Sequence, residues 1–510
     1  MPGVVTTRFR YNIVDQFVEQ FGEASATNMY LFVSRVEGFP DDLNPPTPVD
    51  TIQDNDYEAW RNMIAVKKIT SGDAKAAIVR HNWTSGTVYH EYQTNDSNLY
   101  ANTFYAMTTD YNVYKCLFNN NGATSTVQPT GTSTDIVKTS DGYMWKYMYT
   151  IDSADVTKFV TTTFIPVQNA SSVVSAAVNG AIDVVDMSAN GTGYRSNTGT
   201  FATVTDGSTF TLQTTASATD DFYNGGTIYI KAGKGAGQLR EITDYTGTSR
   251  TPTINVAFNP VPNTSSTYWV GPKITVLGDG NQEFLAYANN VAGGQIRTIE
   301  VIASGNNYSY ANVVIAGAGG AGSGATANAY IAPYGGHGYH PARELGATSV
   351  ILSTQLSGNV SNTFVTNNDF RILGLVSNPT LRSSGSVATG QQYDQSYKLT
   401  LTSVSGDFQA DEIIVSNRNA TGRVIRFANS NAARTAGDLL LQSVRPNPNG
   451  AFFLATETIT GNVTSVTATI SSVTEQALVP YTGEIIYREN RQPVVRTADQ
   501  TEDIKLVIKF

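Results

Sequence analysis

The chain has little charge, one cysteine and no long apolar run. Charged residues make up 15% of it, against roughly 25% for an ordinary soluble domain. The single cysteine, Cys116 in Tyr114-Lys-Cys-Leu-Phe118, excludes an intramolecular disulfide and suits folding in a reducing cytoplasm. No stretch approaches the roughly 18 uninterrupted apolar residues of a membrane-spanning helix. The opening Met1–Arg8 lacks the apolar core of a signal peptide. Neither membrane insertion nor secretion is therefore expected. The net charge is −9 and no run of five like charges occurs. A nucleic-acid partner would require a basic stripe, and the linear sequence has none.

Thr, Ser, Asn and Gly stand in place of the missing charge. That mixture disfavours helix and suits short strands joined by tight turns. With 27 Tyr and 21 Phe, the composition points to packed sheets rather than disorder. A length of 510 residues exceeds one compact core and implies roughly two to four domains. The expected class is mainly β and multi-domain, with a few short helices.

Residues 1–168 form one compositional block, and the helical signals lie there. Over Tyr11–Phe21, the residues Ile13, Phe17 and Phe21 recur at helical spacing beside Val14 and Val18, and Gly22 stands where a helix would stop. Asp54–Ile64 places Tyr57, Trp60 and Ile64 on one helical face, with Asp54 as the cap. Tyr30–Ser34 reads as a short buried strand. Tyr143–Ile151 is the clearest strand, with Tyr143, Trp145, Tyr147, Tyr149 and Ile151 alternating onto one face. Burying those five side chains would contribute on the order of 8–12 kcal/mol, which favours core over a ligand platform.

Residues 170–477 lose the helical signals and read as small β-modules in series. Two internal similarities recur there. Ile182–Tyr194 resembles Ile296–Tyr308, pairing Gly191 with Gly305 and Tyr194 with Tyr308. Phe408–Ile414 resembles Phe453–Ile459, each followed by a glycine, Gly422 or Gly461. Both similarities indicate duplicated β-modules.

Chemistry-bearing motifs are weak. Gly317–Gly322 matches a dinucleotide fingerprint in letters, but a strand-like segment and Pro333 follow it instead of a helix, so it reads as a Gly-rich hairpin. Gly233–Gly237 reads as a turn between Ile228–Ile230 and Leu239–Ile242. His337 and His340 offer two ligands for a metal with no third nearby. His81 and His90 complete the histidines, and His81 reads as a strand-end residue. Cys116 reads as a buried apolar side chain. No nucleophile elbow occurs, and carboxylate pairs such as Asp41-Asp42 and Asp220-Asp221 sit in turns. No cofactor and no catalytic residue are assigned.

The most informative segment is Gly483–Phe510. Ile504, Leu506, Ile508 and Phe510 alternate with polar and apolar neighbours in a strand that runs to the last residue. A strand so near a chain end is ordered only if it is docked in a sheet. Glu489–Pro493 and Ala498–Thr501 carry turn chemistry before it. In its polar turns this segment resembles the C-terminus of a baseplate wedge subunit of T4-like contractile-tailed bacteriophages, the gene product eight family. The first block resembles the same family, in order, at Met29–Arg35, Asn44–Asp50, Trp60–Met63, Val66–Ile69, Val79–Trp83, Val113–Leu117 and Asp141–Tyr147.

The resemblance implies a structural virion protein, not an enzyme. It implies a homodimer that binds neighbouring wedge proteins and the peripheral tail-fibre network. Its place would be the tail baseplate, after synthesis in the host cytoplasm. The expected division is a discontinuous body of residues 1–168 and 478–510, with modules at 170–290, 291–395 and 396–477 looped out from it. On that division, a chain lacking residues 172–476 would still fold. Within the polar turn, Glu489, Asn490, Arg491 and Gln492 are the expected partner contacts. The competing functions are a tail-associated glycan hydrolase or depolymerase, and a carbohydrate-binding protein, both resting on the β-modules.

Overall fold

The computed structural model describes residues 5–23, 27–34, 37–49, 54–281, 283–357, 365–497 and 500–510. It is mainly β and multi-domain, with five short α-helices among the described residues. The chain divides into two compact units. One comprises Met1–Ala77, Thr157–Val160 and Thr348–Phe510; the other comprises Ile78–Val156 and Thr161–Ala347.

In the first unit, the strand Met29–Ser34 is buried along its whole length. It lies at the centre of a five-stranded sheet ordered Gln392–Asp394, Met63–Lys68, Met29–Ser34, Asn368–Ser377, Glu484–Arg496. Its alternate residues enter two different cores. Met29, Leu31 and Val33 face one, Tyr30 and Phe32 the other. A strand covered on both faces reads as a continuous apolar run, as Tyr30–Ser34 does. The closing strand Thr501–Lys509 pairs with Ser349–Ser357 over nine residues, and Ser349–Ser357 pairs in turn with Ala74–Val79. Ile504 and Leu506 enter the same core as Leu31 and Val33.

The first helix spans Thr7–Glu19, starting earlier than its apolar stripe because the Thr6 hydroxyl accepts the Phe9 N–H and caps it. Its Phe17 ring lies 5.5 Å from the ring of Phe510. The first helix and the last residue therefore share one core. The second helix stops at Asn62, and Met63–Lys68 is a strand. Trp60 is buried as expected, but Tyr57 is 58% exposed against Tyr481, and Ile64 belongs to the strand. Sheet pairing of Met63–Lys68 overrides the helical spacing. The expected Asp54 cap lies outside the described side chains.

Residues Tyr397–Thr474 of this unit close a six-stranded barrel. The duplicated segments are neighbours in it. Ile413–Ser416 pairs antiparallel with Thr458–Gly461, and Phe408, Phe453, Ile414 and Ile459 fill the barrel core. Beside the barrel, Asp394 is held where burial pushes its pKa up to about 6, although the Ser396 N–H and hydroxyl both donate to it. An unfolded aspartate titrates near ~3.9. This group thus stabilises the fold fully below pH ~4, and the contribution fades as pH rises through about 6. The difference is at most about 3 kcal/mol. Asp394→Asn keeps an acceptor for Ser396, so its melting temperature should fall less than that of the wild type between pH 4 and 6.5. Parallel melting curves for the two proteins would contradict this.

The second unit contains the aromatic strand, Met144–Thr150, paired with Asn112–Phe118 and Ile136–Lys138. Tyr143 and Trp145 stack at 5.5 Å with no exposure, so the stripe is core and not a platform. Cys116 is buried in the neighbouring strand, where desolvation pushes its thiol well up. Gly317–Gly322 leads through a short 3-10 turn into the strand Ser323–Ile331, but it is not the expected hairpin, because Ala311–Ala316 before it pairs with Lys273–Gly278 and Ser323–Ile331 with Ile182–Thr192. Gly233–Gly237 turns between Thr227–Ala232 and Leu239–Thr246. The first internal similarity appears as a reciprocal arrangement. Gly191 and Gly305 share a φ of 60°. Tyr194 and Tyr308 enter one core, and each donates its backbone N–H to the glycine that precedes the other copy, Gly294 or Gly180. These tyrosines therefore pack across the duplication instead of closing local hairpins.

Candidate functional site

Glu489, Asn490, Arg491 and Gln492 lie within a strand, not a turn. Glu484–Arg496 is an edge strand that, among the described residues, pairs only with Asn368–Ser377. The register runs Phe370↔Val494 and then Ile372↔Asn490, so Arg491, Gln492 and Pro493 together face Arg371. The polar, proline-containing segment is a bulge. Proline lacks an N–H and is accommodated at an edge or a bulge, which is why its chemistry reads like a turn. Of the second polar segment, Ala498 and Asp499 lie outside the described residues.

The bulge anchors the loop 37–49. Asn490 Nδ2 donates to the Pro46 carbonyl at 2.8 Å, and Gln492 Nε2 donates to the Leu43 carbonyl at 2.7 Å. Arg371 grips Asp42 through Nε at 3.0 Å and a terminal nitrogen at 2.9 Å, and also pairs with Asp369 at 2.7 Å. The guanidinium holds the Asp42 carboxyl below its usual range. The proline turn and the Asn490–Pro493 segment, two of the motifs behind the family resemblance, thus meet at one place. Glu489 accepts from Arg491 at 2.7 Å and from the Tyr487 hydroxyl at 3.0 Å. Ile486 is 43% exposed and Val495 is 60% exposed on the same edge strand. Fixed charges, half-buried amides and exposed aliphatic groups at a bulged edge suit recognition rather than catalysis.

Below the edge, Arg496 is buried and donates through Nε to both carboxylate oxygens of Glu502, at 3.0 and 3.1 Å, and through a terminal nitrogen to the Val365 carbonyl. The sequence carries one sign of this pair, because Glu502 continues the apolar alternation of Ile504, Leu506 and Ile508. Nothing in the sequence marks Arg371.

His337 and His340 gain no third ligand among the described residues. His337 is buried in the second unit with Nδ1 2.9 Å from the Lys115 ammonium. Burial, then the neighbouring Lys115 and Lys146, push its pKa well below the ordinary value. Lys115 has no exposure, pairs with Glu344 and sits 3.7 Å over the Tyr92 ring. Among the described residues, no group of three or more His, Cys, Asp or Glu is placed to hold a metal ion, and no helix is long and apolar enough to cross a membrane.

No curated protein matches the chain. Residues 454–510 match the family model described as Bacteriophage T4, Gp8. That stretch runs through the last two barrel strands, the bulged edge strand and the closing strand. Over this C-terminal stretch alone the chain is similar to the gene product eight family.

Proposed function

We propose that the protein works as a homodimer in the baseplate wedge of a contractile tail, binding neighbouring wedge and peripheral tail-fibre proteins and supporting assembly and switching of the baseplate. Its work is binding and not turnover. The observation that carries the reading is the position of the family-matching stretch. It supplies an edge strand that carries Glu489 and Asn490 beside a bulge holding Arg491 and Gln492, and whose flanks expose Ile486 and Val495. These side chains are the proposed partner contacts. Exposed aliphatic groups beside an ordered polar frame resemble the core and rim of a protein interface. The proposed place of action is the virion tail, after synthesis in the host cytoplasm.

Light scattering on the purified protein should give the mass of two 54.8 kDa chains. Ile486→Glu with Val495→Glu should shift it to monomer, by roughly 10-fold or more in the dimer dissociation constant. A monomeric wild type, or a dimer indifferent to both substitutions, counts against this interface.

A further inference from the structure

The second unit contains a groove of about 1020 Å³ between two strand edges. Among the described residues, Ala311–Ala316 pairs only with Lys273–Gly278, and Ser323–Ile331 only with Ile182–Thr192, so the two strands flank the space without closing it. Among the described residues, its lining contains no Asp, Glu, Lys, Arg or His. The walls are tyrosines, carboxamides, hydroxyls and small aliphatic groups. Two of the tyrosines project strongly: Tyr310 is 59% exposed and Tyr334 is 77% exposed. Asn95, Asn312 and Asn328 are exposed in the lining, and among the described residues their side chains make no hydrogen bond within the protein.

The two aromatic positions are held in advance. Asn179 accepts the Gly335 N–H through Oδ1 at 2.9 Å, next to Tyr334, and donates through Nδ2 to Asn307 at 3.0 Å. Its carbonyl accepts the Asn307 N–H at 2.7 Å. One residue thus ties the two loops that carry Tyr334 and Tyr310. Asp279 accepts the N–H groups of Ser309 and Tyr310 at 2.8 and 3.2 Å and fixes the second loop again. Ordering before binding lowers the entropic cost of holding a ligand.

We infer that this groove binds a neutral oligosaccharide. Exposed aromatic faces stack on the C–H faces of sugar rings, and free carboxamides both donate to and accept from hydroxyl groups. The absence of charge excludes recognition of an anionic ligand through ion pairs. It also separates binding from hydrolysis, because a glycosidase needs two carboxyl groups across the bond it cuts and this lining has none. The open strand edges would also suit an extended peptide, but projecting tyrosines and free amides match sugar chemistry more fully.

The test uses the full-length protein on an array of immobilised neutral glycans, namely glucans, mannans, galactans and N-acetylhexosamine oligomers, with acidic glycans alongside. The expected result is retention on at least one neutral class, unchanged between low and high salt. Tyr310→Ala and Tyr334→Ala should each weaken retention by roughly tenfold. The phenylalanine variants at both positions should retain it, and Val256→Ala, an exposed site outside the groove, should leave it unchanged. Circular dichroism of each variant distinguishes a lost ligand from a lost fold. No retention, retention confined to acidic glycans, salt-sensitive retention, or indifference to both alanine variants overturns the inference.

Discussion

Excising Ile78–Ala347 and joining Ala77 to Thr348 through a short Asn-Gly turn should yield a folded, cooperatively melting protein. Ala77 and Ser349 are antiparallel partners in one ladder. The chain thus leaves the first unit and re-enters it at adjoining points, and a tight turn can bridge them. The unit that remains keeps its five-stranded sheet, its barrel and the packing of Phe17 on Phe510, and it loses Thr157–Val160 and the edge strand Phe164–Pro166 beside Ala74–Val79. The deletion suggested by composition, residues 172–476, should fail. It removes Val350, Leu352, Leu356, Phe370, Leu373 and Leu375, all buried in the core that also holds Leu31 and Leu506. Six such side chains represent about 9–18 kcal/mol of burial, as much as the whole stability of a typical domain, about 5–15 kcal/mol. Urea melts followed through Trp60, together with sedimentation, compare the two products. A soluble 172–476 deletion, or an aggregated 78–347 excision, would refute this account of the body.

The second large effect is expected at Lys115. Replacing Glu344 by Gln keeps an acceptor for the Gly338 and His340 N–H groups, which now bond at 2.9–3.1 Å. It strands the fully buried Lys115 ammonium without its carboxylate. His337, 2.9 Å from the ammonium, cannot replace the lost charge, since an imidazole carries no negative charge. The single substitution should cost about 3–5 kcal/mol, whereas Lys115→Met with Glu344→Gln should recover most of the loss. Denaturant unfolding read through Trp83, Trp145 and Trp269 provides the measurement. If the double variant is no more stable than the single one, the pair is not the dominant interaction at this site.

The sequence reports local chemistry well where one neighbour decides the outcome. The alternation Ile504–Phe510 is a docked strand, the Met144–Thr150 stripe is core, and the Gly317–Gly322 run enters a strand. It misleads where two local signals compete. Tyr57, Trp60 and Ile64 fit a helix, yet pairing with Met29–Ser34 converts Met63 onward into a strand. The Asn490–Pro493 turn chemistry serves a bulge, because the facing strand continues past it.

By itself, then, the sequence determined the mainly β class, the internal similarities and the likeness of the C-terminal stretch to the gene product eight family. These depend on period, composition and short motifs, all written within about a dozen residues. Only the tertiary structure decided that Ser349–Ser357 and Asn368–Ser377 stand between the two chain ends, that Lys115 finds Glu344 over two hundred residues away, and that Tyr310 and Tyr334 flank one groove. Such contacts depend on which strand edges meet, and a hydrogen-bonded edge accepts any backbone of suitable register. The identity of the partner strand is therefore carried by the packing of the whole core, not by the residues of either strand alone.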